Sequence, residues 1–265
     1  MNIHPSAIVS EKAELHESVT VGPFSVIEDG VKIGAGTTVA THVRISGPST
    51  IGENNTIDSF AALGGAPQDL SYRGEATELI MGNDNLIREY ASIHRGTVKG
   101  GGKTRIGNSC MVMAYAHIGH DCIIEDHVII VNAAHLSGHT EVGARATVGG
   151  LTGTHQFSRI GTFAFIGGGS AVSKDVPPYA MVTGERGQMR ISGLNKVGLR
   201  RNGMDRKTIK MIDAAYRILF HSPELLHDEA LARAEQELGE CREVAELLAF
   251  IRSSKRGVVK RVKKG

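Results

Sequence analysis

One spacing dominates this chain. Stepping by six from Ile3 meets Val9, Leu15, Val21, Ile27, Ile33, Val39, Ile45, Ile51, Ile57 and Leu63, all aliphatic. A second register runs Met81, Ile87, Ile93. A third runs from Ile106 through Val112, Ile118, Ile124, Ile130, Leu136, Val142, Val148, Thr154, Ile160 and Ile166 to Val172, with Thr154 alone polar. A period of six fits neither the 3.6-residue helix nor an alternating strand. It fits a parallel β-helix with three flat faces per coil, each hexad giving one short strand and one turn. The aliphatic residue points into a narrow prism, consistent with a chain that has 33 glycines and no tryptophan. The glycine that often follows it suits a tight corner and tolerates an unusual φ there. Stacked coils lie about 4.8 Å apart.

The register breaks at 64–80 and at 97–105, which predicts two loops thrown out from a corner, where solenoids tend to carry function. Gln68, Asp69 and Tyr72 cluster in the first, and the second reads as a flexible glycine loop. The repeat is expected to end near Asp175-Val176-Pro177-Pro178-Tyr179, since two prolines block further pairing. The division predicted is a β-helix over 1–190 and an α-helical domain over 191–265. Asp205 caps a helix with Ile209, Ile212, Ala215, Tyr216 and Leu219 on one face. Pro223 opens a second, with Leu226, Ala230 and Ala234 following, and a third runs from about Glu240 to Arg252. A basic tail over 255–265 carries Lys255, Arg256, Lys260, Arg261, Lys263 and Lys264. Its composition suits either a solvated end or attraction to an acidic protein or anionic lipid. No apolar run is long enough to span a bilayer, and the start of the chain lacks the charged and apolar regions of a secretory leader. Cys110, Cys122 and Cys241 lie in no zinc-like spacing and cannot all pair, so a reduced, cytoplasmic compartment is the simplest reading.

Three hexads make a coil, so residues eighteen apart stack. His120, Gly138 and Gln156 form one column, Asp121 and His139 the next, and His117, His135 and Gly153 another. Ala114, Asn132, Gly150 and Gly168 form a column of small side chains. His94, His117, His120, His135, His139 and His155 are half of the 12 histidines. They crowd a surface whose folding needs little imidazole, and imidazole suits proton transfer near neutral pH. His120 beside Asp121 is the pair singled out, because a carboxylate orients an imidazole. Their direct contact requires a corner, since neighbours in a flat strand point to opposite sides. Gly138, one coil above His120, gives a substrate access to the backbone, where its N–H can stabilise an oxyanion. Base and oxyanion donor one strand apart fit acyl transfer, and no serine or cysteine is as well placed as a nucleophile. The rival is a zinc site using His117 and His120 with His135 or His139, which needs three converging nitrogens and an open position.

The hexads together with QDL-Y-GE (68–75), SIHRGT (92–97), HIGHDC (117–122), LSGH (136–139), GGLTGTHQF (149–157) and DVPPY (175–179) are specific. From residue 1 to the C-terminal helices, the chain resembles the UDP-N-acetylglucosamine O-acyltransferases that open lipid A biosynthesis in Gram-negative bacteria. That resemblance implies a homotrimer of left-handed β-helices with active sites between subunits. It implies transfer of a 3-hydroxyacyl group from acyl carrier protein to the 3-OH of UDP-N-acetylglucosamine. The enzyme has no cofactor of its own, since the acyl group arrives on the carrier's phosphopantetheine arm, and no metal. Nucleic acid and stable membrane insertion play no part. His120 matches the general base, Asp121 its assistant and Gly138 the oxyanion donor. Gln68 and Asp69 match the sugar-contacting loop, and His94, His117, His139, His155 and Gln156 match residues lining the cleft. Asn195 and Arg201 match nucleotide and phosphate contacts, and Gly168 bounds an acyl groove, implying a fairly long chain. Ser71 stands where many members have lysine and Val197 where many have glutamate, which leaves a related enzyme with a 3-amino sugar acceptor or a coenzyme A donor as the alternative.

Overall fold

A computed structural model describes residues 2–185, 187–222 and 226–260. The chain forms a left-handed β-helix followed by a small helical domain. Through the regular coils each strand pairs in parallel with the third strand along, giving sheets of eleven, nine and eight strands once the last strands of the largest sheet are included. The ladder follows the hexads: Ile3 pairs with Val21, Val21 with Val39, and Val39 with Ile57. It then continues through Ile87, Val112, Ile130, Val148 and Ile166. These aliphatic side chains fill the prism. Ile57, Ile87, Ile130 and Val148 have no exposed surface, whereas Ile3, on the open first coil, is 36% exposed.

The corners are built differently from the expectation. Left-handed φ falls not on the glycine after the aliphatic residue but two residues later, mostly on non-glycine residues such as Phe24, Tyr115, Asp121 and His139. The glycines are needed for clearance. A Cβ on Gly22 would lie 2.7 Å from the Ala40 carbonyl oxygen of the next coil. Along one corner Phe24, His42, Phe60, Tyr90 and Tyr115 stack ring on ring at 4.8–5.0 Å.

Both insertions are shorter than the register breaks suggested, because their last residues rejoin the sheet. Glu78–Met81 pairs with Ser49–Ile51 on one side and Lys103–Ile106 on the other. The glycine-rich segment is no loose loop: Val98–Gly100 forms a 3-10 turn capped by Thr97. The prolines do not stop the stack either. Val176 bridges Ile160, and Ala180–Thr183 pairs in parallel with Phe165–Ile166, so the coil passes through Pro177 and Pro178 at a corner. The strand Arg190–Leu194 then returns antiparallel, so strand gives way to helix at Asn195, beyond the expected boundary.

Four helices follow among the described residues: α1 (Lys196–Arg201), α2 (Arg206–His221), α3 (His227–Leu238) and α4 (Arg242–Ser253). Short α1 had no signal in the periodicity. Asp205 caps α2 through the amides of Lys207 and Thr208. Its apolar stripe, Ile209, Ile212, Ala215 and Tyr216, is buried, and Tyr216 donates to the Pro178 carbonyl at 2.5 Å. Pro223 lies outside the described residues, α3 starts at His227, and Leu226 is 72% exposed instead of lying on the buried stripe. A polar N-terminal side of α3 explains this, since Asp228 and Glu229 occupy its first turn. Part of the basic tail docks: Val258 bridges Asp175, and Val258 and Val259 are buried. Arg261, Lys263 and Lys264 lie outside the described residues. No described helix is long and apolar enough to cross a membrane.

Candidate active site

The corner at residues 119–121 turns two adjacent side chains toward each other. Asp121 has φ 61°, and this left-handed residue swings its carboxylate back so that Oδ2 lies 2.7 Å from His120 Nδ1. Direct contact between neighbours is therefore made through the corner, as the sequence required. The Asp121 side chain is fully buried. Burial by itself would raise its carboxyl, but bonds from His120 and from the hydroxyl and amide of Thr97 outweigh it and hold the group below the ordinary aspartate range. His139, next in the Asp121 column, presents its Nε2 3.7 Å from the same oxygen. Its ring meets His120 edge-on at 5.2 Å and stacks on Phe157 at 4.3 Å.

Gly138 sits over the imidazole. A Cβ there would lie 2.6 Å from His120 Cε1 and 2.7 Å from Nε2, so only glycine leaves the ring its place. The Gly138 N–H has no hydrogen-bond partner among the described residues. A crevice of about 230 Å³ opens here, lined by Gln68, His94, His117, His120, Gly138 and Gln156, with His135 and Ser137 among the remainder. His117 meets His94 edge-on at 4.9 Å, and its Nδ1 lies 2.8 Å from Ser92 Oγ. Burial, with help from neighbouring histidines, pushes His117 down to about 4, and burial also lowers His94 and His139. These rings are neutral hydrogen-bonding surfaces at pH 7.

Asp69 stands beside the crevice and does not line it. Ser71 binds its Oδ1 through amide (2.7 Å) and hydroxyl (2.8 Å), which lowers the carboxyl. Lys99, from the second insertion, donates to Ser71 Oγ at 3.0 Å, so an ammonium does stand at this position, brought by the other loop. Arg95 fastens the first insertion through the Tyr72 hydroxyl and the Gly64 carbonyl.

Asp69, Asp121 and His139 stand beside the crevice without lining it, and four further expected residues lie away from it. His155 lines a neighbouring cavity of about 190 Å³ with Gly153 and Ser173. Gly168 packs against the Gly150 backbone one coil below. Asn195 uses its side chain structurally, donating to the Phe163 carbonyl at 2.9 Å and capping α1 through the Gly198 amide. Arg201 is exposed in the last turn of α1. Residues that the reading missed sit behind the pair. Thr97 and Thr104 bond to Asp121, and Thr154 spends its hydroxyl on the Ser137 amide and Thr140. Thr154, the polar break in the third register, is buried and satisfied by these bonds.

The atoms of His120, Asp121 and His139 that could hold a metal lie within 4.8 Å of one another. Both Asp121 oxygens are already hydrogen-bonded, and the 2.7 Å contact to His120 is itself a hydrogen bond.

Comparison with known proteins decides the family. The hexapeptide transferase model matches residues 12–47 and 103–138, and the model for domain 2 of UDP-N-acetylglucosamine O-acyltransferase matches residues 175–259. The acyl-[acyl-carrier-protein]–UDP-N-acetylglucosamine O-acyltransferase of Aliarcobacter butzleri is 50% identical over 257 residues, covering 97% of both chains. That of Halorhodospira halophila is 48% identical over 259 residues, covering 97% of this chain and 99% of its own. The chain belongs to the UDP-N-acetylglucosamine O-acyltransferase family. Solved O-acyltransferase structures agree in shape. The Moraxella catarrhalis enzyme superposes with TM-score 0.94 at 42% identity, covering 98% of this chain and all of its own. The Francisella novicida enzyme gives 0.95 at 37% identity, covering 98% and 95%. In this O-acyltransferase His120 and Asp121 are both buried, and a side chain at Gly138 would meet the imidazole.

Proposed function

We propose that this chain moves a 3-hydroxyacyl group from acyl carrier protein to the 3-OH of UDP-N-acetylglucosamine, the first step of lipid A biosynthesis, with His120 as general base. One observation carries the mechanism. Asp121 holds His120 Nδ1 at 2.7 Å, while Nε2 faces Gly138 across the crevice. With the ring proton on Nδ1, the Nε2 lone pair is free to take a proton. The unprotonated imidazole removes the proton of the acceptor hydroxyl, and that oxygen bonds to the thioester carbon. The Gly138 N–H stabilises the oxyanion. The carbon–sulfur bond then breaks, and the imidazolium returns the proton to the departing thiolate of the phosphopantetheine arm.

Gln68, His117 and Gln156 fit the sugar side of this crevice with His94 in its wall, and Asp69 and His139 stand beside it. Gly168, His155 and Arg201 contribute from elsewhere on the surface, which suits a homotrimer whose clefts lie between protomers. A cytoplasmic, soluble enzyme with no cofactor of its own follows from the same reading. The test is His120→Ala. Turnover falls by about 10²–10⁴-fold, the usual worth of a positioned base, while assembly by light scattering and UDP-N-acetylglucosamine binding are unchanged. Near-normal turnover would remove the base.

A further inference from the structure

Asp121 is gripped at both oxygens by a turn that the hexad ladder does not need. The Thr97 amide donates to Oδ1 and its hydroxyl to Oδ2, each at 2.7 Å. The direction of the hydroxyl is fixed, because its oxygen accepts from the Gly100 amide at 3.2 Å, so its own proton goes to the carboxylate. Gly100 completes the grip from above: a Cβ there would fall inside contact distance of both carboxylate oxygens and their carbon. Gly100 has no left-handed φ, so alanine is allowed by its backbone, and the three atoms nearest an added Cβ all belong to Asp121. Below, the Asp121 amide donates to Thr104 Oγ1 at 2.8 Å. Thr97 is 4% exposed and Asp121 5%, so water does not compete for these bonds. The strands Glu78–Met81 and Lys103–Ile106 pair directly, closing the sheet across this insertion.

We propose that the turn at Thr97–Gly100 is a carboxylate cradle, in which Thr97 and Gly100 act as positioning residues that aim Asp121 at His120 Nδ1 during acyl transfer. The proposal rests on the reading of His120 as the base. A carboxylate accepting at both oxygens cannot rotate about its Cβ–Cγ bond without losing a charge-assisted bond. Its aim then fixes both the tautomer and the plane of the imidazole. Thr97 touches no substrate and acts through Asp121.

The experiment measures kcat, KM for UDP-N-acetylglucosamine and melting temperature for full-length Thr97→Val, Thr97→Ser, Gly100→Ala, Asp121→Asn, His120→Ala and the double variant Thr97→Val/Asp121→Asn. Thr97→Val and Gly100→Ala lower kcat by about 10–100-fold, on the scale of a misplaced catalytic group, with KM within about twofold. Thr97→Ser keeps the hydroxyl and stays within about threefold of the parent. The double variant is no slower than Asp121→Asn, because the two act as one unit. Parental kcat in both Thr97→Val and Gly100→Ala overturns the cradle, as does a double variant that multiplies the two losses. If Thr97→Val fails to fold, Gly100→Ala and Thr97→Ser decide by the same criteria. Retained activity in His120→Ala sinks the base reading itself, whereas loss there with parental turnover in the cradle variants sinks only the cradle.

Discussion

Gly138→Ala isolates the geometry on which the mechanism depends. The added methyl would lie 2.6 Å from His120 Cε1, 2.7 Å from Nε2 and 3.1 Å from Nδ1. Carbon atoms rest at about 3.5–4.0 Å, so the ring must retreat by roughly 1 Å. Behind it stand Asp121, bonded at 2.7 Å, and the edge of His139, 5.2 Å away between ring centres. A retreat of that size breaks the Asp121 bond, and the methyl occupies the approach to Nε2. Misplacing a catalytic group by about 1 Å costs on the order of 100-fold, so kcat should fall by about two orders of magnitude. Gly138 does not use left-handed φ, so its backbone accepts alanine and the fold should persist. The assay is steady-state transfer from 3-hydroxyacyl carrier protein to UDP-N-acetylglucosamine, with circular dichroism melting alongside. A folded variant within threefold of the parental kcat would refute both the position of His120 and the reason for the glycine.

The other two predictions concern stability. His117, pushed down to about 4 by burial, binds a proton more readily unfolded, where an imidazole titrates near 6.5. Stability is therefore full above about 6.5 and declines as pH falls toward 4; His94 and His139 shift the same way, whereas Asp121 adds loss only below the ordinary aspartate range. His117→Gln should remove part of that decline, on the order of 1–2 kcal/mol after allowance for partial exposure, and unchanged pH dependence of melting between 7.5 and 4.5 would contradict the assignment. Tyr216→Phe removes the buried bond to the Pro178 carbonyl that ties α2 to the last coil. A loss of about 1–3 kcal/mol is expected in urea unfolding, and a change below about 0.5 kcal/mol would show that bond to be idle.

Periodicity made the ladder legible because every inward position repeats a single physical demand. The same lattice placed Gly138 over His120 and His139 above Asp121, since a column needs only the coil length. The insertions were not legible in this way. Thr97 reaches Asp121 from outside the register, and no spacing connects them. Asn195 shows the opposite failure. The resemblance matched it to a nucleotide contact, but a cap on α1 and a bond to the Phe163 carbonyl engage its amide in this chain. The prolines misled for a local reason: a residue without an N–H blocks a ladder only within a strand, and Pro177 and Pro178 fall between Val176 and Met181, which carry the parallel pairing.

In a lattice of near-identical coils, the proposed chemistry sits at one corner. At another corner the first amide of each turn is capped by the coil above: Glu53 by Asn83, Asn83 by Asn108, and Asn108 by Asp126, at 2.7–2.8 Å. Such ladders satisfy the backbone and leave no donor for a ligand. In the His120 column the equivalent residue above is Gly138, with no side chain to offer as a cap, and its own amide is unpartnered among the described residues. Glycine at 138 gives the clearance that the imidazole fills, and its own amide stays free because Gln156, the residue one coil above, makes no capping bond to it among the described residues. The two insertions then bring what a regular coil cannot supply, a buried clamp for Asp121 from one and Gln68 with Asp69 from the other. Departures from the repeat thus gather at this corner, and each has a bonding reason in the coil beside it.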